Sequence, residues 1–141
     1  MPTIRYQLVA GLHTDAQIRE LLTRSCAVFA ETLQVPADRI RAFADEVRPQ
    51  AAAIGGDLVS EGATEAPFFE FILFAGRPLE HGQQLMGAFT DLLVECLGSD
   101  RSLVRGWVRF VDPDHWSIGG VPASVVRKAD IEARARAAQD D

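Results

Sequence analysis

A proline stands directly behind the initiator methionine in the opening stretch MPTIRYQLVAG. Removal of methionine from in front of so small a residue is expected, and it would leave Pro2 with a free secondary amine able to take or give a proton. The arrangement is also compatible with an incidental start, so the choice between the two rests on the rest of the chain. Other reactive side chains offer less. His13 and His115 fall in turns without partners at metal-ligand spacing, which favours a surface role. Cys26 and Cys96 lie inside apolar helical patterns, where a free thiol behaves as a small buried hydrophobe, and no disulfide is expected. No Ser-His-Asp arrangement, phosphate-cradling loop or close cysteine pair is visible. Gly55-Gly56 and Gly119-Gly120 lack the surroundings of a nucleotide-binding loop and read as turns. Neither a metal nor a cofactor is expected.

The elements that would position Pro2 follow from the apolar pattern. TIRYQLV is β-branched and partly alternating, and it ends at Gly11, which predicts a strand closed by a turn. Thr14 or Asp15 can cap a helix over DAQIRELLTRSCAVFAETL, where Ile18, Leu21, Leu22, Cys26, Phe29 and Leu33 share one face. VPAD breaks that helix, and RIRAFADEV reads as a second strand. The order then repeats: FFEFILFAG is a strand, PLEHGQQLMGAFTDLLVECL a helix with Leu85, Phe89, Leu92, Leu93, Cys96 and Leu97 on one face, and SLVRGWVRFV a strand. Ile54-Gly55-Gly56 and Ile118-Gly119-Gly120 stand 64 residues apart, as do Ile40-Arg41 and Val104-Arg105, while Ala10-Gly11 and Ala75-Gly76 stand 65 apart. Two copies of a β-α-β unit are therefore predicted, over 1–66 and 67–128, with a helical tail over 129–141.

Parallel strands joined by right-handed crossover helices would pair into one four-stranded sheet with both helices on one face, an α/β (α+β) fold. FFEFILF is apolar at nearly every position, which predicts burial on both sides and hence packing of sheets from several chains, with a closed ring the expected assembly.

At 141 residues the chain suits one compact domain, and with 48% apolar and 24% charged residues it has ordinary globular usage. The net charge of −6 argues against nucleic acid as the partner, although local clusters could bind small anions. No apolar stretch approaches the roughly 18 residues needed to span a bilayer, so no membrane association and a cytoplasmic location are expected.

The residues Gly76-Arg77, Val104-Arg105 and HWSIGGVPASVVRK resemble the short subunit of the 4-oxalocrotonate tautomerase type. Pro2, Gly11, Arg41, Glu46 and IGGDLVSE extend the resemblance to the first unit. The whole is similar to fused, two-unit members of the tautomerase superfamily such as malonate semialdehyde decarboxylase and cis-3-chloroacrylic acid dehalogenase. The resemblance implies a homotrimer, a small carboxylate substrate, and the amino-terminal proline as catalytic base. By the same token Arg77 would bind the substrate carboxylate, with Arg105 or Arg41 in support, and Trp116, Ile118 and Phe74 would wall the pocket. Pro67 occupies the place of Pro2 in the second unit, but its nitrogen lies within a peptide bond, so one working pocket per chain is expected.

Departures from the family pattern narrow the chemistry. Leu12 replaces the first-unit arginine, Leu79 replaces a second arginine of the decarboxylase, and Asp38 is the nearest acid to that enzyme's carboxylate. No water-activating acid stands out beyond Asp45, Glu46 and Asp114, which makes proton transfer the better expectation than hydrolytic dehalogenation. Tautomerisation of an enol or 2-oxo acid therefore leads. A decarboxylase, hydratase or dehalogenase with a cationic Pro2, and a non-catalytic assembly, remain the alternatives.

Overall fold

Two seven-residue strands, β1 (Thr3–Val9) and β5 (Phe68–Phe74), run antiparallel side by side at the centre of the sheet. Each is extended outward by a parallel partner: β2 (Arg41–Val47) beside β1 and β6 (Arg105–Val111) beside β5, giving the order β2-β1-β5-β6. The computed structural model describes residues 2–140; the expected removal of Met1, and Asp141 of the tail, lie outside the described residues.

Helices α1 (Asp15–Leu33) and α2 (Leu79–Leu97) make the two crossovers, as the parallel pairing requires. Helix α1 starts where the sequence offers a capping box: Thr14 accepts from the Gln17 N–H, and the Gln17 side chain accepts from the Thr14 N–H. Both helices lie on one face of the sheet. Their apolar stripes, Leu21, Phe29 and Leu33 from α1 and Leu85, Phe89 and Leu93 from α2, meet the alternate residues Ile4, Tyr6, Leu8, Phe69, Phe71 and Leu73. Phe89 sits edge-on to Phe29, Phe69, Phe71 and Tyr6, so one aromatic cluster spans both repeats. The single polar pair in this layer is satisfied internally: Tyr6 Oη lies 2.7 Å from Ser25 Oγ, which in turn bonds the Leu21 carbonyl at 2.7 Å.

After β2 comes a hairpin of β3 (Ala53–Ile54) and β4 (Asp57–Leu58), and after β6 its counterpart of β7 (Ser117–Ile118) and β8 (Val121–Pro122). The loops Gly55-Gly56 and Gly119-Gly120 have φ of 63° and 92°, and 59° and 88°. Two successive left-handed residues make the tightest hairpin turn, which is why glycine recurs at both places. A short helix α3 (Ala123–Val126) and the helix α4 (Lys128–Gln139) close the chain.

Among the described residues no layer covers the second face of the sheet. Phe43, Phe68 and Trp107 are 49%, 38% and 40% exposed there, beside the Arg5–Asp45 ion pair and with Arg109 stacked 4.7 Å from the Trp107 ring. The expected two-sided burial of FFEFILF is thus met on one side only within a single chain. Among the described residues no helix is long and apolar enough to cross a membrane.

Candidate active site

Pro2 ends in a fixed place because the strand pairing continues through it: the Arg41 N–H donates to the Pro2 carbonyl at 3.1 Å. Its ring is buried, and it lines a small pocket beside the end of β5. Leu73 and Phe74 from β5, Val35 from behind α1, and Ile131 from α4 give the cavity apolar walls. Gly76, at φ 99°, turns the chain after β5 and brings Arg77 into the lining. Arg39, Arg127 and Arg134 complete the basic side, with Asp130 as the one acid.

Four guanidinium groups therefore face one carboxylate. Asp130 is engaged with Arg39, whose Nη1 lies 2.8 Å away, and this ion pair fastens α4 to the first repeat. Arg77 reaches back over the C-terminal end of α1 and makes a long, 3.4 Å bond to the Leu33 carbonyl, a favourable place for a cation. Burial pulls its pKa down to about 10, and the charge of Arg134 pushes in the same direction. The Arg134 guanidinium is lowered too, by burial first and then by Arg39, with Asp130 opposing. Among the described residues no carboxylate lies within ion-pairing reach of Arg77, Arg127 or Arg134, so the cavity is short of negative charge. An anionic ligand would relieve that shortage.

The expected site residues are distributed over three places. Pro2, Arg77 and Phe74 share this cavity. Arg41, Trp116 and Ile118 line an adjoining open hollow together with Thr3 and Asp38, and Arg39 and Arg127 border both spaces. The Arg41 guanidinium donates to the Asp38 and Ile40 carbonyls at 2.9 and 3.1 Å. Arg105 stands at the opposite end of the sheet beside Pro67: its N–H donates to the Pro67 carbonyl at 3.1 Å, as Arg41 does to Pro2. The antiparallel β1–β5 pairing forces that separation.

Arg39, Arg127, Asp130 and Arg134 are the charged lining residues that sequence reasoning passed over. Three of them belong to the C-terminal segment, where spacing gives a usable signal: positions 127, 130, 131 and 134 fall on one helical face.

The Pro67 end is built differently. Leu103 stands there where the first repeat has Arg39, and Leu12 stands where the second has Arg77. His13, expected at the surface, is instead buried with its side chain only 8% exposed, and its Nε2 lies 2.7 Å from Glu65 Oε1. The other oxygen of Glu65 accepts the Val9 N–H at 2.6 Å. The linker between the repeats supplies the partner that local spacing could not reveal.

No family model matches the chain. Curated relatives do. A probable tautomerase of Ralstonia nicotianae is 32% identical over 69 residues, 49% of this chain and 99% of that protein. The 2-hydroxymuconate tautomerase of Comamonas testosteroni is 33% identical over 57 residues, 40% of this chain and 90% of that protein.

The chain belongs to the tautomerase superfamily.

Each tautomerase relative is matched by less than half of the chain, in keeping with a sequence that holds two units. Among solved structures, the crystal structure of a native fused 4-OT is similar over 88% of this chain and 98% of its own, with a TM-score of 0.80 and 25% identity. The four-stranded sheet with paired helices is thus the fold of fused, two-unit tautomerases.

Proposed function

We propose that the protein is a cofactor-independent tautomerase in which Pro2, freed of Met1, moves a proton between oxygen and carbon of a small enol or 2-oxo acid. The observation that carries this reading is the presence of Pro2 in the lining of an apolar-walled cavity where four guanidinium groups meet one carboxylate. To act as a base the Pro2 amine must be uncharged, and nearby cations and partial burial both favour the uncharged form of an amine. The amine takes the proton from the enol hydroxyl, the electrons flow through the conjugated system, and the resulting ammonium returns the proton to carbon. Arg77 holds the carboxylate and meets the negative charge that develops on the enolate oxygen. The walls keep water away while the charge is present.

The tautomerase from Comamonas testosteroni names a first trial substrate, 2-hydroxymuconate. Phenylenolpyruvate is a second, and a 3-oxo acid and an acetylenic acid probe decarboxylase and hydratase chemistry. Mass measurement of the purified protein is expected to show loss of Met1. Pro2→Ala is expected to lower kcat/KM by about 100-fold or more, the usual worth of a positioned acid–base group; equal rates in the two proteins would sink the reading.

The chain works as a homotrimer in this proposal. Fused 4-OT structures include a symmetric trimer, 22% identical with a TM-score of 0.77, and the open sheet face with Phe43, Phe68 and Trp107 offers the apolar surface such an assembly covers. Arg105 enters the Pro2 site only from a neighbouring copy. Sedimentation should return three times the 15.4 kDa of one chain.

A further inference from the structure

Helix α4 lies outside both repeats, yet it supplies Asp130, Ile131 and Arg134 to the lining of the Pro2 cavity, and Arg127 precedes its first turn. Its role divides by residue. Asp130 is spent on Arg39, 2.8 Å away, and so anchors the helix. Arg134, one helical turn further along the same face, feels Asp130 only through its charge and forms no ion pair among the described residues, and its own charge is felt by Arg77 across the cavity. Four cations set against one carboxylate, delivered by separate elements, are a costly arrangement that a ligand can relieve.

Charge balance tells one anionic group from two. With Asp130 set against Arg39, the cations Arg77, Arg127 and Arg134 remain. A monoanion held by Arg77 leaves most of that charge uncompensated in an apolar-walled space, whereas a dianion can meet Arg77 with one end and the helix with the other. We propose that Arg134 is a specificity-determining residue that binds a second anionic group of the substrate, so that α4 makes the Pro2 site select doubly charged acids. This rests on the tautomerase reading for what the site does, but binding tests it without turnover.

The probes are trans,trans-muconate and sorbate, dienes of equal chain length that differ in whether one end carries a carboxylate or a methyl group. Dissociation constants are measured by calorimetry on the protein with Met1 removed, at fixed ionic strength, for the natural chain and for Arg134→Ala, Arg134→Gln, Arg134→Lys and Arg136→Ala. The natural protein is expected to prefer muconate by roughly ten-fold or more, the scale of a charge-assisted hydrogen bond to a carboxylate. Arg134→Ala and Arg134→Gln lose most of that preference through weaker muconate binding, with sorbate changed less than about two-fold. Arg134→Lys restores part of it, and Arg136→Ala, on an exposed part of the same helix, changes neither ligand. Equal weakening of both ligands in Arg134→Ala would overturn the proposal, because Arg134 would then share the first carboxylate, and so would an unchanged preference. If muconate preference depends on Arg134 while 2-hydroxymuconate is not turned over, the tautomerase reading fails and this one stands.

Discussion

Arg77 carries a cost in the empty protein. Its guanidinium is buried enough to bring its pKa down to about 10, and Arg134 adds repulsion. A cation with a lowered folded-state pKa destabilises the fold while it is charged in both states, at every pH below about 10. The penalty fades as pH rises from about 10 towards the unfolded value, so this group makes stability increase with pH in that window. At neutral pH, Arg77→Leu should therefore raise the stability of the ligand-free protein, by about 1 kcal/mol after allowing for solvent screening, a few degrees in Tm. The same change should remove the extra thermal stability that muconate confers on the natural chain. Thermal scans with and without muconate check both halves, and a lower Tm for the unliganded variant would contradict this account. Pro2 could be singled out because it stands behind the start, and Arg77 because the family resemblance places an arginine behind the turn glycine; both line the cavity. Arg134 was hidden for the opposite reason: among alternating arginines and alanines, nothing but helical spacing separates Arg134, which lines the cavity, from Arg136, which does not.

At the scale of elements, the two repeats keep their backbones in step while their side chains diverge. Arg41 and Arg105 bond the carbonyls of Pro2 and Pro67 at the same distance, 3.1 Å. Beside those bonds, Ala42 pairs with Ile4, but Gly106 pairs with the larger Phe69. A Cβ on Gly106 would stand 2.3 Å from two atoms of the Phe69 ring, and that ring is held among Tyr6, Phe71 and Phe89. Gly106→Ala should accordingly cost about 1–3 kcal/mol, the range for overpacking a filled core, with the fold retained. Urea unfolding measures this, and a loss below about 0.5 kcal/mol would mean that the ring moves aside freely. The strands and helices were legible because period-two and period-3.6 patterns are local. The His13–Glu65 pair was not, since its members are 52 residues apart and the acid sits in the linker.

For the whole molecule, the pseudo-twofold arrangement sets two similar ends of one sheet against each other. One holds Pro2 with Arg39 and Arg77; the other holds Pro67 with Leu103 and Leu12. An electrophile aimed at the amino-terminal amine should therefore attach once per 15.4 kDa chain, and loss of activity should extrapolate linearly to that single equivalent. Mass spectrometry after partial and complete inactivation tests this; activity that survives full modification of Pro2 would move the chemistry elsewhere. Fusion of the repeats has a further consequence through α4. Had each repeat been a separate chain, any tail added to it would have appeared beside every pocket. Joined end to end, the pair can append a helix to one half alone, and so give look-alike pockets different doorkeepers without changing the sheet beneath them.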